Sequence, residues 1–180
     1  MNALIVYRSC YGSTRRYAEW ISSALSANLC EEQYLRPEMI QSADIIIFGS
    51  GLYAGGVRAT ALLKRHAALL SGKVVVLFTV GLADPENEDN ILHIHNGLQK
   101  ALGAQLEKIK LFYFRGAMDF SNMRFFHKMG MRMMRSMLKK KKDRTAEDEA
   151  LLHSFDHPVD FTDQKAILPL IAYCRAHTGR

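Results

Sequence analysis

Three short apolar runs constrain this chain most: residues 3–7 (Ala-Leu-Ile-Val-Tyr), 45–48 (Ile-Ile-Ile-Phe) and 74–78 (Val-Val-Val-Leu-Phe). They are rich in β-branched residues and show no polar alternation, so they read as the cores of strands over 2–8, 43–48 and 73–80, buried on both faces. Helical patterns separate them. From Thr14 the apolar positions Tyr17, Ala18, Ile21, Ala24 and Leu25 mark one helix face. A second helix is expected over 57–70, with Gly72 at its C-terminal cap. A third is expected to start at Asp84 as N-cap, with Pro85 at the first position and acids Glu86, Glu88 and Asp89 in the first turn, and to end at Gly103. Residues 30–35 read as a short strand, 37–42 as one or two helical turns, and 105–114 as an edge strand carrying Glu107, Lys108 and Lys110. The pattern predicts an α/β fold: a doubly wound, five-stranded parallel sheet in the order 2-1-3-4-5 with helices on both faces.

At 180 residues the chain is expected to be a single domain. It has no run of about 18 apolar residues, so no transmembrane helix is expected. The first strand begins almost at Met1, and no signal peptide is expected. Three widely spaced cysteines (Cys10, Cys30, Cys174) suggest reduced thiols in a cytoplasmic protein. No metal-ligand spacing is present, and His66, His93, His95 and His127 read as surface or structural residues. The net charge of +6 is uneven: residues 115–144 hold ten Lys/Arg against two Asp, while the remainder is slightly acidic. The basic character therefore belongs to one local surface.

In a doubly wound sheet the ligand binds outside the carboxyl ends of the strands, where the strand order reverses. That places a site between the loop after the first strand and the loop after the third. The first loop is Ser9, Cys10, Tyr11, Gly12, Ser13 and Thr14. Its hydroxyls, its backbone N–H groups and the positive end of the following helix suit a phosphate. The second is the Gly-rich stretch 49–56, with Ser50, Gly51, Leu52, Tyr53 and Ala54. The loop Thr79, Val80, Gly81 and Leu82 forms a third wall. The first loop has no Lys for a P-loop, and the acids of a phosphorylation receiver are missing.

On these residues the chain resembles the flavodoxin-like superfamily. Its first loop is similar to the pattern Thr/Ser-x-Thr-Gly-x-Thr, with Tyr11 in place of the middle Thr. The likeness covers nearly the whole chain. It looks closest to the flavodoxin-type, quinone-dependent protoporphyrinogen oxidases through residues 4–15, 49–70 (including Lys64-Arg65-His66-Ala67), 116–137 and 161–163. That resemblance implies FMN, with Ser9 to Thr14 on its phosphate. It also implies that Ser50 to Ala54 and Thr79 to Leu82 lie against the isoalloxazine, with Tyr53 a stacking candidate. Two departures stand out: Tyr11 removes one hydroxyl, and residues 83–89 are acidic.

Cys10 and Arg16 also form C-x5-R, which resembles the low-molecular-weight tyrosine phosphatases, with Asp84 as a general acid. Against that, Tyr17 stands where that family has Ser or Thr.

Between Phe114 and a last helical pattern at 162–177 lies an insert, about residues 115–160. The last helix has Thr162 as candidate N-cap and Pro169 as a reason for a kink or a later start. Within the insert a helix over 123–139 would align Arg124, Lys128, Arg132, Arg135 and Lys139 in one stripe. Phe125, Phe126, Met129, Met133, Met134 and Met137 would cover most of the rest. A cationic edge on a Met- and Phe-rich helix suits a hydrophobic anionic small molecule or an anionic membrane surface, the latter at the inner face of a membrane. Arg124, Lys128 and Arg132 are the candidates for that contact; alternatively the apolar face packs on the sheet. No nucleic-acid partner is expected. Three functions stay open. The first is an FMN-dependent oxidoreductase acting on a porphyrinogen-like acid, with a quinone or another acceptor. The second is a flavodoxin-type carrier that meets redox proteins, and the third is a hydrolase using Cys10.

Overall fold

The three apolar runs form the middle of one sheet. In the computed structural model, which describes residues 2–53, 56–57 and 59–177, the elements follow in chain order. They begin with β1 (Ala3–Arg8), α1 (Ser13–Leu25), β2 (Asn28–Glu31), α2 (Pro37–Ser42), β3 (Ile45–Tyr53), β4 (Gly56–Val57) and α3 (Ala59–Arg65). Next come β5 (Val74–Gly81), α4 (Glu88–Leu102), β6 (Ile109–Arg115), β7 (Ala117–Met118), α5 (Phe125–Lys140), α6 (Ala146–His153), β8 (Val159–Asp160) and α7 (Leu168–Ala176). The parallel strands run β2-β1-β3-β5-β6, the expected doubly wound order. The two-residue β4 folds back antiparallel on the end of β3, Leu52 opposite Val57.

Side chains alternate across each strand and build two cores. Ile5, Ile47, Phe78 and Phe114 meet Tyr17 and Ile21 of α1 and Leu170 and Cys174 of α7 on one face. Val6, Phe48 and Leu77 meet Ile40 of α2, Leu63 of α3 and Leu98 of α4 on the other. A side chain of this size, fully buried, contributes about 1.5–3 kcal/mol, and Ile5, Ile47, Phe48, Phe78 and Leu77 are completely inaccessible. In-register pairing, such as Val6–Phe48 and Phe48–Leu77, brings the ends of β1, β3 and β5 to one edge of the molecule.

Several expected boundaries move. The strand placed at 30–35 ends at Glu31 and continues as a 3-10 turn, and residues 103–108 are a 3-10 turn ahead of β6. The helix expected over 57–70 narrows to α3: residues 56–57 are drawn into pairing with β3, and residues 66–72 form turns, so Gly72 does not cap the helix. Asp84 is not the N-cap of α4. Its carboxylate takes the amide of Glu86 at 3.0 Å and pairs with Arg115 at 3.4 Å, so Asn87 caps the helix three residues later. Thr162 does not cap the last helix. Asp163 caps a 3-10 turn, and α7 starts at Leu168 with Pro169 in its first turn, the later start that proline favours. Gly103 does end α4.

The insert is pinned at its base. β7 and β8 pair antiparallel, Met118 opposite Val159, and α5 and α6 form the excursion between them. The Tyr17 hydroxyl, under a fully buried ring, donates to the Arg115 carbonyl at 2.9 Å and accepts from the Asp163 amide at 3.0 Å. Arg16 reaches Asp160 at 2.6 Å and the Thr162 hydroxyl at 2.7 Å. Burial pushes the Cys30 thiol up and pushes that of Cys174 to about 11. These two thiols are expected to react with a thiol reagent at pH 8 only after unfolding; rapid labelling of either in the folded protein would contradict the packing.

Desolvation pushes the Asp160 carboxyl up, but Arg16 and the hydroxyl and amide of Thr162 outweigh it and hold it at about 2. A carboxylate depressed in this way stabilises the fold above about pH 4, and the contribution is lost as pH falls from about 4 to about 2. Its side chain is 49% exposed, so the contribution is at most about 1 kcal/mol. Asp160→Asn is expected to lower stability in urea by about 0.5–1 kcal/mol at neutral pH, with the difference closing in that acid window. A difference that does not change with pH would contradict this assignment.

Candidate functional site

The loop after β1 turns into α1 through Gly12, whose φ of +96° is a conformation glycine adopts without strain. No side chain caps α1, and no acid sits in its first turn. The first helical bond runs from Arg16 N–H to the Gly12 carbonyl at 2.9 Å. The N–H groups of Ser13, Thr14 and Arg15 therefore have no partner within the helix. The Ser9 hydroxyl accepts from the Gly12 amide and that of Ser13 from the Ala117 amide, both at 3.0 Å. Both oxygens thus hold the loop in shape while their O–H hydrogens stay available to an anion. Thr14 is buried beside them.

A cavity of about 870 Å³ opens from this loop, at the upper end of the roughly 300–1,000 Å³ usual for small-molecule sites. Its floor is the strand-end edge: Tyr11, Ser13 and Thr14, then Leu52, Gly56 and Val57, then Val80, Gly81 and Leu82, then Arg115 to Met118. The packing is tight here: a Cβ on Gly81 would lie 2.8 Å from Leu52 Cδ1, so a larger residue would have to displace that side chain. One wall is α4, with Asn90, His93, Ile94 and Gly97. The roof is the insert: Met123, His127, Gly130, Met131 and Met134, then Glu147 and Leu151 of α6.

Two polar clusters fasten that roof. The Tyr11 hydroxyl lies 2.5 Å from His127 Nδ1 and accepts from the Arg124 amide at 3.2 Å. The residue that departs from the hydroxyl pattern of the first loop thus joins that loop to the start of α5. On the far side the Glu147 carboxylate accepts from the Asp84 amide (3.1 Å), Asn87 Nδ2 (3.1 Å) and Asn90 Nδ2 (2.8 Å), tying α6 to the loop before α4.

Of the expected site residues, Tyr11, Ser13, Thr14, Leu52, Val80, Gly81 and Leu82 line this cavity. Ser9 and Cys10 face a second hollow of about 560 Å³ on the other side of the loop, shared with Arg65, His66 and Arg124. Ser50, Gly51 and Thr79 lie behind the cavity wall. The Ser50 hydroxyl is buried and accepts from the Ala59 amide at the start of α3. Ala54 and the Tyr53 side chain lie outside the described residues. Lys128 donates to the Ser121 carbonyl, and Arg132 points to solvent, so neither reaches the cavity. His93 and His127, read as surface or structural, both line it. The arrangement does not assemble the hydrolase alternative: Arg16 is committed to Asp160 and Thr162, and Asp84 to Arg115.

The chain's own groups fit FMN. The open N-terminus of α1 with its hydroxyls suits a phosphate dianion. Thr79 Oγ1, buried behind the cavity wall, has no hydrogen-bond partner among the described residues. Ser13 and Thr14 would hold the phosphate, and Leu52 with Val80 to Leu82 would flank the ring.

No curated protein matches the sequence. Among solved structures the chain is similar to the two-electron reduced flavodoxin of Megasphaera elsdenii (19% identity, 62% of this chain and 82% of that one, TM-score 0.42). It is also similar to an archaeal flavodoxin (12%, 87% and 100%, 0.42) and to the Trp repressor binding protein of Bacillus subtilis (15%, 81% and 100%, 0.42). The family model described as a flavodoxin domain matches residues 4–145, and the chain belongs to that family.

Proposed function

We propose that the chain is an FMN-dependent oxidoreductase whose insert encloses the flavin site for a flat, hydrophobic, acidic donor of porphyrinogen type, with a quinone or another acceptor taking the electrons. One observation carries this reading. A single cavity joins the phosphate loop, the 80–82 loop and the inner face of α5. A carrier that passes electrons between proteins needs its flavin edge open to a partner, and a roof of Met123, Met131 and Met134 obstructs that edge. The same residues offer an adaptable apolar wall to a small molecule. The redox chemistry belongs to FMN when it is bound. The protein's part is to bind, orient and exclude water. The first loop would hold the phosphate, Leu52 and Val80 to Leu82 would lie against the ring, and the roof would keep solvent out. Arg115 lines the cavity while paired with Asp84, and its buried Nε, without a hydrogen-bond partner among the described residues, is the donor it would offer a carboxylate.

Purified protein is expected to be yellow and to release FMN on heating. Ser13→Ala with Thr14→Ala is expected to weaken FMN binding by about tenfold or more, from the loss of hydrogen bonds to a charged group. Colourless protein that takes up no FMN on titration would contradict the flavin reading. Met134→Trp, which fills the roofed space, is expected to keep FMN while losing most porphyrinogen oxidation. Turnover unaffected by that substitution, or absent from the yellow wild-type protein, would contradict the enclosed-donor reading and leave the carrier alternative.

A further inference from the structure

Helix α5 has three faces. At 3.6 residues per turn, His127, Gly130, Met131 and Met134 fall within about 100° of arc, and this face lines the cavity. Arg124, Lys128, Arg132, Arg135 and Lys139 fall within about 80° on a second face. Phe126, Met129, Met133 and Met137 occupy the third, also within about 80°, with Phe125 at its edge. Among the described residues this third face stays largely exposed. Phe125, Phe126, Met129, Met133 and Met137 are 56–76% exposed, and they are five of the nine exposed large apolar side chains among the described residues. The alternative in which the apolar side of the helix packs on the sheet does not hold: α5 has no buried residue among those described, and its inner face lines the cavity instead. An apolar strip of this length on one helix marks an interaction surface.

The charge beside it selects the partner. α5 contains no acidic residue. Among the described residues Arg132, Lys139, Lys140 and Lys142 have no carboxylate within salt-bridge distance. A second copy presenting the same strip would bring like charges together. A planar anionic surface would accept both the apolar ridge and its cationic flank. No helix among the described residues is long and apolar enough to cross a membrane, so such contact would be interfacial. We propose that the outer face of α5 docks the protein on an anionic lipid bilayer, Phe126, Met129, Met133 and Met137 entering the headgroup boundary while Arg132, Lys139, Lys140 and Lys142 meet lipid phosphates. This surface is distinct from the cavity, and the proposal does not depend on the flavin reading.

The test is flotation of the full-length protein with vesicles of phosphatidylcholine alone or mixed with phosphatidylglycerol, at low and high salt. The wild-type protein is expected to float only with the anionic vesicles, and less at high salt. Met129→Glu with Met133→Glu, at solvent-exposed positions, is expected to reduce flotation to the phosphatidylcholine level with the circular dichroism spectrum unchanged. Arg132→Gln, Lys139→Gln and Lys140→Gln together are expected to weaken binding about tenfold or more. Absence of flotation with anionic vesicles at low salt would overturn the proposal. So would equal flotation of the Met129→Glu, Met133→Glu variant. Sedimentation as a dimer that the same variant dissolves, without vesicle binding, would assign the face to a second copy instead.

Discussion

The structure depends on burying a parallel sheet on both faces. Strands such as 45–48 and 74–78 have no polar side to offer water, so helices must cover each face, and each strand must return to the sheet in the same direction. All five parallel strands then end on one side. The ends of β1, β3 and β5 lie next to each other there, and their loops cannot be buried in the core. The loop 9–14, the end of β3 and the loop 80–82 are close because of this constraint, although they are far apart in sequence. A binding site at this edge follows from the packing before any residue is assigned a role in it.

The insert changes what that site can do. In the bare fold the strand-end edge faces solvent. Here β7 and β8 close the base of an excursion whose two helices lean back over the edge. The fastening is polar and specific: Tyr11 to His127 on one side, Glu147 to Asn87 and Asn90 on the other. Each bond is modest, on the order of 1 kcal/mol. The roof is thus held by a few contacts at its corners more than by a continuous apolar core, which suits an element that must admit and release a ligand.

The central strands and their order were legible because strands buried on both faces leave a continuous apolar signal that nothing else in the chain imitates. Boundaries failed where a distant partner decided them. Asp84 has every local property of an N-cap, but Arg115 on β6 takes its carboxylate, and the helix starts at Asn87 instead. Val57 looked helical until β3 captured it. In the site, the hydroxyls of Ser13 and Thr14 could be read locally, whereas the burial of Ser50 and Thr79 behind the wall could not. The roof was the largest omission. Met134 was grouped with Met129, Met133 and Met137 as one apolar side, although the spacing of His127, Met131 and Met134, at i, i+4 and i+7, marks a separate stripe. Asn90 and Glu147 gave no local signal at all, because their roles exist only through each other.

The claim that the insert is part of the flavin site can be measured directly by hydrogen exchange on the full chain with and without FMN. Added FMN is expected to slow exchange in residues 9–14 and 80–82 and also along α5 (Phe125–Lys140), which shares no sequence neighbourhood with either loop. Protection confined to the two loops, with α5 unchanged, would contradict the account.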